Sequence, residues 1–108
     1  MLDNIRGFDY DIRSAIEVTG FKMNSIDPDD PNYLLAYELI PPQDIDLDIA
    51  VDTIMLLWLY ELRYVASEYD SINVTRSDNV AIMEAVTIAR SATGCSVRFI
   101  IIKNEDKK

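Results

Sequence analysis

From Met1 to Gly20 the apolar residues Leu2, Ile5, Phe8, Ile12, Ala15 and Ile16 recur at intervals of three and four, the period of one helical face. Gly7 weakens that helix, and the β-leaning stretch IEVTGFKM predicts that it stops near Thr19 and gives way to a strand. GFKMNSI and NYLLAYELI then flank DPDDPN, where proline fixes φ and the Asp and Asn side chains bond their own turn backbone. The expected element is a hairpin with a long acidic loop. Pro41–Pro42 ends its second strand, because proline cannot donate to a sheet ladder.

Residues 45–69 contain neither proline nor glycine, and Leu47, Val51, Ile54, Met55, Trp58, Leu62, Val65, Ala66 and Tyr69 form a continuous helical stripe with Trp58 in the core. SINVT reads as a short strand. TRSDNVAIMEAVTIARSATG reads as a second main helix, opened by a Thr75–Asp78 capping pair and closed by Gly94, with Ala81, Ile82, Ala85, Val86, Ile88, Ala89 and Ala92 inward. SVRFIIIK is apolar on both faces, the mark of an interior strand, and a parallel crossover from SINVT would lead to it. The resulting expectation is a single α+β domain over residues 1–108, with a frayed tail at 104–108. Its mixed sheet of three to four strands carries two main helices packed on one face, and a ferredoxin-like arrangement is the alternative.

Composition narrows the chemistry. There is no histidine, which removes the usual general base and the commonest metal ligand, and the single Cys95 permits no intrachain disulfide or thiolate cluster. Cys95 is expected to be an inert thiol after a helix C-terminus, the wrong end to lower its pKa. No glycine-rich phosphate loop is present. The longest apolar run, Ile54 to Tyr60, is far shorter than the ~20 residues of a bilayer span, and the N-terminus lacks a signal-peptide pattern, so no membrane contact and a cytoplasmic location are expected.

The net charge of −9 is lopsided. Residues 1–52 hold twelve acidic against three basic side chains, while residues 53–108 hold seven of each. A field of that sign repels phosphate backbones, so nucleic acid is not an expected partner; a basic protein is.

The acidic stretch PPQDIDLDIAVD concentrates the question. With Asp44 as N-cap, Asp46 and Asp48 fall in the first helical turn, where the dipole favours negative charge. Asp44, Asp48 and Asp52, however, stack at i, i+4 and i+8, a mutual repulsion that a cation or a basic partner would relieve. No cofactor is required, but Mg²⁺ or Ca²⁺ suits such oxygen ligands, with Asp29 and Asp30, or Asp27, added if the hairpin loop folds back. The calcium-loop motif itself fails, having Ile49 where glycine is needed and Met55 where glutamate is. A second helix stripe, Leu57, Tyr60 and Tyr64 with Thr53, is apolar on the side away from the main one and is a candidate interface for self-association. The favoured expectation is a non-catalytic binding or assembly module meeting a basic protein. The alternative is a Mg²⁺-dependent enzyme acting on a phosphorylated small molecule through the aspartates.

Overall fold

The computed structural model describes residues 2–27, 33, 35–62, 71–88 and 94–104. Helix α1 (Leu2–Glu17) leads through a turn into strands β1 (Lys22–Ser25) and β2 (Leu35–Ile40). Helix α2 (Leu47–Leu57) runs on into a π turn, Trp58–Leu62. Strands β3 (Ser71–Arg76), β4 (Val80–Ile88) and β5 (Gly94–Ile102) follow. The class is α+β, as the sequence implies, but the sheet has five strands rather than three or four, in the order β1-β2-β5-β4-β3. The β2–β5 pair is parallel and the others antiparallel. The element order among the described residues does not follow the βαββαβ pattern of a ferredoxin-like chain.

The N-terminal helix and the first hairpin form as expected. Gly20, at φ 98°, turns the chain out of α1, a left-handed position that glycine adopts without steric cost. β1 and β2 pair antiparallel from Lys22↔Ile40 to Ser25↔Tyr37, and the Ile26 N–H extends the ladder to Ala36 O at 3.0 Å. Asp29 and Asp30 lie outside the described residues.

The largest correction concerns residues 75–88, which form strands and a turn where a helix was expected; residues 89–93, with Ala89 and Ala92, lie outside the described residues. Ser77, Asp78 and Asn79 make a tight turn in which the Ser77 N–H donates to Val80 O at 2.9 Å, and β4 then pairs with β3 from Arg76↔Ala81 to Ser71↔Val86. Asp78–Asn79 is thus a hairpin loop, not a helix start, and Gly94 opens β5 rather than ending a helix. The expected parallel crossover from β3 to β5 is absent as well, since β4 lies between them. SVRFIIIK does occupy the interior, with β5 flanked by β2 and β4. Of the expected tail, residues 105–108 lie outside the described residues, while Asn104 donates its side-chain N–H to Pro41 O at 2.9 Å.

One core joins both helices to one face of the sheet. Ile12 and Ile16 of α1, Leu47, Ala50, Val51 and Ile54 of α2, and Trp58 pack with the alternating residues Tyr37, Leu39, Met83, Ala85, Val97, Phe99 and Ile101. Phe99 is central, stacked on Tyr37 (5.8 Å between ring centroids) and met edge-on by Trp58 (6.2 Å). Where α1 crosses the sheet, the buried Tyr37 donates its hydroxyl proton to Asp9, and Arg13 donates to Asp9 at 3.3 Å and to Ser25. The Arg13 guanidinium also lies 5.6 Å from the Tyr37 ring centroid, so the helix is tied down by charge as well as by apolar contact.

The other face of the sheet carries neither helix. Its registered rows run Asn24–Glu38–Ile100–Ile82–Thr75 and Ala36–Arg98–Glu84–Asn73, with Lys22 beside Ile40 and Ile102 beside Val80 at the end. Ile40, Val80, Ile82, Ile100 and Ile102 are each only half-buried.

Candidate functional site

Helix α2 is built to begin at Asp46. With φ −91° and ψ 177° this residue stands in the extended region, and its carboxylate accepts the Ile49 N–H at 3.0 Å, satisfying a donor that the first helical turn leaves without a partner. The expectation that Asp44 caps the helix is therefore corrected by two residues. Asp44 precedes the cap in an exposed turn, while Asp48 enters the first turn and pairs with Arg76 of β3. Asp52 is exposed on the following turn.

These carboxylates do not converge. Among the described residues no three Asp, Glu or Cys side chains come together as a metal-binding group. Asp44 is exposed in the turn before the helix, Asp48 pairs with Arg76 and Asp52 is exposed one turn on, and the two loop aspartates that were to complete the site, Asp29 and Asp30, are outside the described residues.

The apolar half of the prediction also shifts. Leu57 is half-buried and packs against the core, Tyr60 is 79% exposed, and Tyr64 lies outside the described residues. The solvent side of the helix is instead marked by Ile49 (50% exposed) and Leu56 (54%), seven residues or two turns apart, with Asp52 between them and Tyr60 beyond. Ile49 and Leu56 lie in the regular part of the helix, off the stripe that meets the core; the π turn, whose i→i+5 bonding widens the helix from Trp58, shifts the period only for the residues after Leu57, Tyr60 among them. Trp58 itself is fully buried, as its stripe predicts. Nothing in the sequence announces the wide turn, but Leu56, inside a continuous apolar run and off both stripes, is the visible sign of an apolar residue with no core to enter.

The remaining charged arrangement is on the helix-free sheet face. Arg98 donates from Nε and a terminal nitrogen to one oxygen of Glu84, at 3.2 and 2.9 Å, and its guanidinium lies 4.5 Å from the Tyr33 ring centroid. Hydrogen bonding to Tyr33, and then to Glu84, raises the Arg98 pKa above its ordinary value, so this group is cationic throughout the accessible pH range. Among the described residues no nucleophile or third charged group joins the pair.

No protein-family model and no curated protein matches the chain. Among solved structures it is similar in fold to the Cid1 poly(U) polymerase crystallised with MgGTP, at 7% identity and a TM-score of 0.54, over 95% of this chain and 31% of that one. The chain thus spans about a third of the polymerase, and at that identity the likeness is one of fold. No helix among the described residues is long and apolar enough to cross a membrane.

Proposed function

We propose that this protein is a binding module whose outer α2 surface docks a basic, amphipathic segment of a protein partner. The observation that carries the reading is the co-location on one helix side of exposed carboxylates and exposed apolar groups: Asp48 and Asp52 alternate with Ile49, Leu56 and Tyr60. An apolar stripe in water is a cost that an occupant removes, and a field of −9 concentrated in the first half of the chain raises the encounter rate with cations. A helix presenting leucines beside lysines or arginines satisfies both at once. The Mg²⁺-dependent reading has less support, because it needs several carboxylates at one point and the described residues supply no such group. The likeness to a polymerase adds nothing to it beyond the fold.

The test is an amide NMR titration with a synthetic helical peptide bearing lysines along one side and leucines along the other. Shifts confined to residues 46–60, saturable and weakened by salt, are the expected result, and Asp52→Lys should reduce affinity roughly three- to tenfold. Shifts spread over the sheet, or an unchanged affinity in Asp52→Lys, would remove this assignment.

A further inference from the structure

The face of the sheet that neither helix covers is a second candidate surface, and it differs from the α2 side in the property that selects a partner. Its centre is a contiguous β-branched patch, Ile40, Val80, Ile82, Ile100 and Ile102, contributed by β2, β4 and β5. Among the described residues the charged side chains on the face are Lys22, Glu38, Arg98 and Glu84, two of each sign, and three of the four are already engaged: Arg98 holds Glu84, and Glu38 accepts from Asn24 at 3.4 Å. The face is therefore neutral in a chain of net charge −9. The acidic side chains Glu17, Asp48 and Asp52 of the two helices, and Asp44 of the turn before α2, belong to other surfaces.

We infer that this face is the contact surface for a second copy of the chain, giving a dimer in which two sheets pack face to face with the helices outside. Charge argues for this occupant. A basic partner is drawn to the helix side, where the negative field is; two α2 sides brought together would set Asp48 and Asp52 of both copies against each other, whereas two balanced sheet faces meet with the fewest like charges opposed at the contact. Shape and area agree. Antiparallel and mixed sheets stack at ~10 Å through interdigitated side chains, a geometry suited to isoleucine and valine. The whole five-strand face, with strands ~4.8 Å apart, offers a footprint on the order of 500 Å², below the ~800 Å² per partner of a standard interface and in the range of a weak, reversible dimer. The inference is independent of the docking role of α2, since no residue is shared.

Sedimentation velocity over a concentration series, with amide shifts followed on dilution of the unmodified chain, tests it. The expected result is a reversible dimer whose dilution shifts fall on residues 40, 80, 82, 100 and 102 and spare residues 46–60. Ile100→Glu, which would bury two unpaired charges per dimer, should weaken association roughly a hundredfold or more, while Leu56→Glu should leave it unchanged. A monomer at every concentration overturns the inference. So does a dimer whose dilution shifts map to α2, and because this readout uses the unmodified chain it holds even if Ile100→Glu fails to fold.

Discussion

Asp46 and Asp44 look interchangeable in the sequence, two aspartates ahead of one apolar stripe, yet only Asp46 is placed to accept the Ile49 N–H. Asp46→Ala should cost about 1 kcal/mol of unfolding free energy, and Asp44→Ala much less, by chemical denaturation. Equal losses in the two variants would mean that local charge, not the cap bond, supports the helix start. Gly20 is a second single-residue constraint. A Cβ there would meet Pro42 Cγ at 3.0 Å on a backbone whose φ already disfavours side chains, so Gly20→Ala should destabilise by roughly 1 kcal/mol or more, read from the same denaturation curves. The sequence shows the turn near this glycine but not the proline it faces, because residues 20 and 42 meet only across the closed hairpin.

At the scale of elements, α1, the first hairpin, α2, β3 and β5 are all legible from periodicity, and β4 is not. The cause is particular. In a strand with one face in solvent, polar residues alternate with apolar ones, but here the outward positions hold Val80 and Ile82 while Ala81, Met83 and Ala85 point inward, leaving Glu84 as the one polar residue between Val80 and Val86. With both faces apolar the two-residue period vanishes, and the alanines then fit a helical stripe equally well. The misreading thus has the same origin as the neutral apolar face itself. The candidate site was half visible for a comparable reason: the acidic turns and Tyr60 stand out in sequence, whereas Ile49 and Leu56, off both stripes, show their exposure only once the helix is seated on the sheet. Within the core, Phe99 touches β2 through Tyr37 and the helical layer through Trp58. Phe99→Ala should therefore cost about 3–5 kcal/mol, a large part of the ~5–15 kcal/mol that holds a domain together, measurable by thermal or denaturant unfolding.

At the scale of the molecule, the decisive property is the segregation of charge among the described residues, acidic on the helical side and balanced on the sheet side. Divalent cations should interact only diffusely with the helical side. Titration of chelator-treated protein with Mg²⁺ should give small, unsaturated amide shifts at all acidic positions, and saturable shifts centred on residues 44–52 would instead establish a metal site and revive the catalytic alternative. The order of the strands carries a different consequence. β1–β2 and β3–β4 are local hairpins, but β2 and β4 meet only through β5, whose pairing of Leu35 with Val97 spans 62 positions of sequence. Until that long loop closes, each hairpin displays a bare inner edge, and β5 of a neighbouring chain is chemically identical to the strand that belongs there. Refolding yield should therefore fall as protein concentration rises, with the losses recovered as strand-exchanged oligomers, because the gap that defines the native sheet is also the one another molecule is equipped to fill.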